Sequence, residues 1–245
     1  MANQYKKLDL TTKEGRLTFA RMMAEEGIVL LENRNSVLPL GREKVALFGR
    51  TQIDSFKGGT GSANSISEYS VSIQDGLRDC GVNLEENLAT KYKEWTTENP
   101  LPDFGYWGSG MHSNPEMPVD VALAREAKRN GAKKAIIVVG RTAGENEDTC
   151  LVKGDYYLSD EERAMFEAVT KVFKKTIVIL NIGNVMDLNF IEEYGIDGVL
   201  YMNMAGMEGG HAIGNVIKGK TPPSGHLTAT FAKNYDAYPS SEYFG

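Results

Sequence analysis

Hydrophobic and polar residues along this chain follow two periods, and the clearest signal is an uninterrupted apolar run. Ile136-Ile-Val-Val139 is β-branched, stops at Gly140 and is followed by the acidic residues Glu145, Glu147 and Asp148. A run of this kind predicts a strand that is covered on both faces, as in a parallel sheet. Ligand sites in such sheets lie just past the carboxyl ends of the strands. The acidic loop is therefore predicted to lie where chemistry takes place.

The remaining pattern predicts strands and helices in alternation. A capping-box pattern at Thr11 to Glu14 precedes helical spacing of apolar residues over about 12–32, which predicts a long first helix. Further helices are expected over about 70–80, 85–95, 120–130, 160–174, 187–194 and 208–218. Strands are expected over 44–49, 82–84, 134–139, 176–181, 197–202 and 227–231. This alternation predicts an α/β fold, a three-layer αβα sandwich with a mostly parallel sheet of five to six strands.

The composition supports a substantial core and argues against several classes of protein. Of 245 residues 41% are hydrophobic, and the net charge is −6. An acidic chain of this kind is unsuited to bind nucleic acid, which requires clustered Lys and Arg. No stretch approaches the ~20 apolar residues that span a bilayer, and the N-terminus lacks the apolar segment of a signal peptide. We therefore expect no membrane segment and a cytoplasmic location.

The expected domains are an N-terminal helix and linker (1–40), the sandwich (41–235) and the start of a linker (236–245).

Cysteine and histidine usage argues against a metal or a redox cofactor. Cys80 and Cys150 are at no metal-ligand spacing, and His112, His211 and His226 are isolated in the sequence. We expect neither a metal nor a cofactor.

Two loops could carry chemistry, and on their residues alone each has two interpretations. The glycine loop Gly58 to Ser62 lacks the residues of a phosphate-binding motif. It is either a tight turn or a place where backbone and the Ser62 hydroxyl approach an uncharged polar ligand. In the acidic loop, a carboxyl with its pKa raised by burial would make a general acid. The alternative is an ordinary solvated loop. The glycines at Gly183 and over 206–210 either contact a ligand at the same edge of the sheet or permit the backbone geometry at the starts of helices.

Residues 96–118 are rich in Pro and Gly and predict a long loop. Within it, Tyr106 and Trp107 could stack on a sugar ring or anchor the loop to the core. Both interpretations stay open on the sequence.

The motifs together resemble a known family. The most specific are Lys57-Gly-Gly-Thr-Gly-Ser62 and Gly140-Arg-Thr-Ala-Gly-Glu145 with Asp148. The other stretches are Ala24–Asn33, Leu38–Leu40, Val45–Gly49, Lys153–Glu162, Val178–Gly183, Gly206–Gly210 and Pro223–Leu227. In their order and in their residues, these motifs resemble the C-terminal α/β-sandwich domain of glycoside hydrolase family 3, the β-glucosidase family.

The resemblance implies a function and specific residues. In that family a (β/α)8 barrel carries an aspartate nucleophile, while the sandwich supplies a general acid/base over a shared cleft. The acid/base glutamate falls on Glu145, and a contact to the sugar in subsite −1 falls on Ser62. The resemblance also implies that Thr60 and Gly61 bind substrate, and it makes Asp148 a possible site residue. The implied partners are a β-glucoside or oligosaccharide and the barrel domain of the same enzyme.

The chain also departs from the family pattern. Thr149 follows the loop aspartate, where the family commonly has Arg, and no Ser-Asp-Trp nucleophile motif of the barrel is present. This order resembles inverted members, in which the sandwich precedes the barrel. We therefore expect an excised leading domain that holds half an active site, with a split gene as the alternative. A non-catalytic carbohydrate-binding or scaffold module of the same fold, and a nucleotide binder, are the competing hypotheses.

Overall fold

The computed structural model of this chain describes residues 8–102, 113–145 and 148–242. Within these ranges the strands are β1 Val29–Asn33, β2 Lys44–Phe48, β3 Asn83–Leu84, β4 Lys134–Arg141, β5 Thr176–Ile182 and β6 Gly198–Tyr201. They form one sheet in the order β1-β6-β5-β4-β2-β3. All neighbouring strands are parallel except β1 and β6, which are antiparallel. The predicted α/β fold with a mostly parallel sheet is confirmed.

Helices cover both faces of this sheet. They are α1 Lys13–Gly27, α2 Ile73–Asp79, α3 Glu86–Glu98, α4 Val121–Arg129, α5 Asp160–Val172, α6 Phe190–Glu193 and α7 Gly209–Ile217. Alternate residues of β4 enter two different cores, because successive side chains of a strand point to opposite faces. Ile137 and Val139 pack with Phe166 of α5, whereas Ile136 and Val138 pack in the core that contains α2 and α7. The three layers follow from this two-sided burial.

The first helix is shorter than predicted. Helix α1 ends at Gly27, and residues 29–33 form the edge strand β1, in which Val29 is opposite Tyr201 of β6. Glycine disfavours continuation of a helix, and the β-branched residues that follow it favour an extended backbone. The prediction of a helix up to residue 32 is therefore wrong. The N-cap is Thr12, whose side chain accepts a hydrogen bond from the Gly15 backbone N–H, rather than Thr11.

The predicted last strand at residues 227–231 is also wrong. Gly225 donates a backbone hydrogen bond to the carbonyl of Ile28, just before β1 begins, but no strand follows. Instead, the Phe231 ring packs edge-on against Tyr201, with 5.7 Å between the ring centroids. Side-chain packing rather than backbone pairing holds this segment against the sheet. The division of the chain at residues 40 and 235 stays a prediction.

Glycines allow α2 and α7 to pack in backbone contact. A Cβ atom added to Gly76 of α2 would lie 1.9 Å from the carbonyl carbon of Gly210 in α7. A Cβ added to Gly210 would lie 2.1 Å from the backbone oxygen of Ser72. Gly210 therefore serves helix packing, which decides between the two interpretations of the glycines after β6 in favour of a structural role for this one.

Candidate active site

Asn181 joins three loops at the carboxyl edge of the sheet. It is fully buried at the end of β5. Its Oδ1 accepts a hydrogen bond from the Phe56 backbone N–H at 2.7 Å, and its Nδ2 donates to the Phe56 carbonyl at 2.9 Å and to the Asn203 carbonyl at 2.7 Å. The loops that follow β2 and β6 are thereby tied to the end of β5. The glycine loop begins two residues after Phe56, so its start is held in place by the same hydrogen bonds.

The glycine loop lies directly against the acidic loop. The Thr60 backbone N–H donates to the Ala143 carbonyl at 3.1 Å, and Thr60 pairs with Gly144 as an isolated parallel bridge. A Cβ atom at Gly59 would lie 2.4 Å from the Ala143 oxygen, and one at Gly144 would lie 1.6 Å from Thr60 Oγ1. The glycines are thus required for close approach of two backbones. The loop is more than a tight turn, because its contact with the acidic loop depends on them.

This contact brings Ser62 and Glu145 together, although 83 positions separate them in the sequence. The Ser62 hydroxyl donates to Glu145 Oε1 at 2.7 Å, and the Ser62 backbone N–H donates to Oε2 at 3.0 Å. Both residues are exposed at the carboxyl edge. Two residues that the resemblance assigns to one active site therefore meet at the edge where parallel sheets hold their ligands.

The hydrogen bonds from Ser62 shift the pKa of the Glu145 carboxyl. The Ser62 backbone N–H, and then its hydroxyl, lower the pKa of the Glu145 carboxyl below its ordinary value. Donors that face a carboxylate favour its ionised form, and this side chain is not buried. The condition for a general acid, a carboxyl pKa raised by burial, is therefore not met by Glu145 in this domain.

Arg141, at the end of β4, anchors the acidic loop. Its guanidinium donates to both carboxylate oxygens of Glu162, each at 2.7 Å, and to the carbonyls of Gly140, Asp155 and Tyr157. The side chains of Arg141 and Glu162 are only 2% and 7% exposed. The residues on either side of the acidic loop are therefore held to one buried cation. Arg141 is part of the family motif, but the motif alone does not reveal its role as an anchor.

Glu162 connects this anchor to the start of α5. Its backbone N–H donates to the Ser159 hydroxyl oxygen, and its Oε2 accepts from the Ser159 backbone N–H, so the predicted capping box is confirmed. An arginine at the end of a buried strand together with a capping-box glutamate is the signal that could have revealed the pair, because a buried guanidinium requires a carboxylate.

The other predicted site residues are less informative. Thr60 and Gly61 are buried beneath Ser62, with Gly61 in the left-handed region at φ +63°. Asp148 is exposed, and its carbonyl accepts from the Cys150 thiol at 3.6 Å. Tyr106, Trp107 and Glu147 lie outside the described residues.

The described residues contain neither a metal-binding cluster nor a membrane-spanning helix. Within residues 8–102, 113–145 and 148–242, no group of three or more His, Cys, Asp or Glu side chains could hold a metal ion. No helix in the described part of the chain is long and apolar enough to cross a membrane.

Comparison with known proteins identifies the fold family. The model of the glycosyl hydrolase family 3 C-terminal domain matches residues 28–244. The chain belongs to this family. A β-glucosidase of Ruminococcus albus is 40% identical to this family 3 domain over 222 residues, which are 89% of this chain and 23% of that protein. Beta-glucosidase A of Butyrivibrio fibrisolvens is 31% identical, over 96% of this chain and 31% of its own length.

Solved structures agree with this family. The family 3 domain superimposes on a β-glucosidase from Paenibacillus barengoltzii with a TM-score of 0.91 and 38% identity, covering 95% of this chain and 26% of that one. With β-glucosidase 3B from Thermotoga neapolitana, solved in complex with α-D-glucose, the TM-score is 0.83 and the identity 33%, over 95% and 33% of the chains. The domain thus spans about a quarter to a third of these relatives.

Proposed function

We propose that this domain supplies the general acid/base, Glu145, and a sugar contact, Ser62, for retaining hydrolysis of β-glucosides or related oligosaccharides. The nucleophilic aspartate is proposed to lie on a (β/α)8 barrel domain of the same enzyme. The pairing of Ser62 with Glu145 at the carboxyl edge of the sheet carries this proposal. The β-glucosidases among the relatives, each about three to four times longer than this domain, support it.

The proposed reaction has two steps. The barrel aspartate attacks the anomeric carbon while Glu145 gives its proton to the leaving glycosidic oxygen, which forms a covalent glycosyl-enzyme. Glu145, now a carboxylate, takes a proton from water as the water oxygen attacks the anomeric carbon and releases the aspartate. A retaining mechanism of this kind places the two carboxyl groups about 5–5.5 Å apart. Ser62, held by its neighbours Thr60 and Gly61, would hydrogen-bond the sugar beside the same carboxyl.

The surroundings of Glu145 fit a site that a second domain completes. Ile66 follows the glycine loop, and Leu151 and Val152 follow the acidic loop; these side chains are 101%, 46% and 51% exposed. Contiguous exposed apolar surface favours cover by another surface, and these three side chains stand on the two segments that follow the Ser62 and Glu145 loops. Such cover would remove water from Glu145 and raise the pKa of its carboxyl. That is the direction in which a general acid must move.

The decisive experiment measures hydrolysis of an aryl β-glucoside, first by this chain alone and then by the enzyme completed with its barrel. The chain alone and its Glu145→Gln variant should both show no turnover. In the completed enzyme, Glu145→Gln should slow glycosides with poor leaving groups far more than activated aryl glycosides, because only the former need the proton. Equal slowing of both substrates would refute the role of Glu145. Unchanged hydrolysis of both would favour the non-catalytic carbohydrate-binding or scaffold module.

A further inference from the structure

Ser62 engages both oxygens of the Glu145 carboxylate. Its hydroxyl and its backbone N–H point to Oε1 and Oε2 at 2.7 and 3.0 Å, which are ordinary distances for charge-assisted hydrogen bonds. In the described ranges, no charged group contributes to the shifted pKa of this carboxyl. Ser62 is therefore the group that sets the environment of Glu145 in the free domain.

The backbone around Ser62 positions its N–H and its hydroxyl toward Glu145. Ser62 lies in a short 3₁₀ turn, Gly61–Ala63, that directly follows the bridge between Thr60 and Gly144. N–H groups in the first turn of a helix have no partner within the helix, so the Ser62 N–H is available to an outside acceptor. Glu145 comes immediately after the same bridge on the opposite loop. The bridge thus places the donor and the carboxylate side by side.

This arrangement conflicts with the first step of the proposed reaction. A general acid needs a proton on its carboxyl, whereas two donors aimed at one carboxylate favour the ionised form. The single Ser62 hydroxyl hydrogen can be given either to Glu145 Oε1 or to a sugar oxygen, but not to both. Two acceptors therefore compete for it. Rotation about the Cβ–Oγ bond redirects this hydrogen without movement of the backbone.

We propose that Ser62 is the positioning residue of Glu145: it holds the carboxylate ionised in the free domain and releases Oε1 when its hydroxyl turns to a sugar oxygen. The backbone N–H keeps Oε2 in place throughout, so that Oε1 is the atom that takes up a proton and faces the leaving oxygen. The first half of this proposal needs no substrate. The second half rests on the proposed glycosidase function.

The first half is tested on the chain itself by NMR titration of the Glu145 side-chain carboxyl carbon. Glutamate is labelled with ¹³C, and Glu145→Gln identifies the resonance by its disappearance. In Ser62→Ala the midpoint should move to higher pH, and in Ser62→Thr, which keeps a hydroxyl, it should return toward that of the wild type. Ser65→Ala is the matched control, because Ser65 is an exposed serine three positions after Ser62. An unchanged midpoint in Ser62→Ala would overturn the proposal.

An independent signal comes from the Ser62 amide proton in the wild-type chain. Because this N–H donates to Oε2, its chemical shift should follow the same midpoint and lose that inflection in Glu145→Gln. A Ser62 amide shift with no inflection at the Glu145 midpoint would also overturn the proposal. Both NMR measurements need neither substrate nor barrel, so they test the first half of the proposal even if the enzyme is not a glycosidase.

The second half is tested by pH–rate profiles of the enzyme completed with its barrel. The basic limb of kcat/KM reports the acid in the free enzyme, and that of kcat reports it in the substrate complex. If the Ser62 hydroxyl has already turned to the sugar in the complex, Ser62→Ala should move the limb of kcat/KM to higher pH and leave that of kcat in place. Equal movement of both limbs, or of neither, would refute the release of Oε1.

Discussion

The buried pair of Arg141 and Glu162 offers the sharpest test of how this domain holds its acidic loop. Arg141→Met keeps an unbranched, flexible side chain and removes the charge and the hydrogen bonds of the guanidinium. The carboxylate of Glu162, whose side chain is 7% exposed, would then stay buried without its cation. Three backbone carbonyls, those of Gly140, Asp155 and Tyr157, would lose a donor as well.

The expected loss of stability is large. Removal of one partner of a buried ion pair costs about 3–5 kcal/mol, because the remaining charge is left without compensation. For a domain of this size each 1 kcal/mol lowers Tm by about 2–4 °C, so Arg141→Met should lower it by about 6–20 °C. The double change of Arg141 and Glu162 to Met should cost less than the sum of the two single changes, because it removes both charges.

The assay is thermal and urea unfolding of the chain, with a control from the same loop. Lys153 and Asp160 form an ion pair of the same length, 2.7 Å, but their side chains are 65% and 71% exposed. Lys153→Met should therefore cost below about 1 kcal/mol. If Arg141→Met costs no more than Lys153→Met, the Arg141 guanidinium does not anchor the acidic loop. Additive single and double changes would show that the two side chains do not act as a pair.

Three further predictions concern packing, loop anchoring and pH. Gly76→Ala should cost about 1–3 kcal/mol in urea unfolding, because its Cβ would meet α7 backbone, whereas Gly27→Ala, with open space around its Cβ, should be neutral or stabilising by about 0.5–1 kcal/mol. Asn181→Ala should cost about 2–4 kcal/mol and speed hydrogen exchange of the Phe56 amide, whose acceptor it removes; an unchanged exchange rate would contradict the anchor. The lowered pKa of Glu145 means that its contribution to stability is complete above its ordinary value of 4.5 and disappears as the pH falls through the folded value. The difference in urea midpoint between wild type and Glu145→Gln should therefore shrink below pH 4.5; a difference independent of pH would refute this.

The central strands could be predicted from the sequence, because an apolar run of this length fits only a strand that is buried on both faces. Strands β4 and β5 are apolar on both faces, and every residue of β5 is buried. A solvated helix would need polar positions that these runs lack. The edge of the sheet was harder. Residues 28–32 satisfy helical spacing and strand propensity alike, and only the pairing of β1 with β6, far along the chain, decides between them. Local pattern contains no information about that partner.

The site was predictable in part, and for a different reason. Glu145 and Ser62 were singled out through the family motif, whereas their contact depends on a bridge between Thr60 and Gly144 that no local pattern reveals. The direction in which the pKa of Glu145 is shifted could not be predicted from the sequence for the same reason. Whether a loop carboxyl is buried or exposed depends on which donors and surfaces the fold brings to it.

On the proposed function, the exposed Glu145 constrains the surface that must cover it. The residue is held as a carboxylate in this domain, the form needed as base in the second step, whereas the first step needs the protonated form. Desolvation by an apolar or acidic surface would raise its pKa, but a Lys or Arg within about 4–6 Å would lower it further. Thr149 adds no cation from this side of the cleft, where the family commonly has Arg. The partner surface that faces Glu145 should therefore be apolar or acidic rather than basic, since a basic surface would stabilise the carboxylate and oppose the proton transfer that starts the reaction.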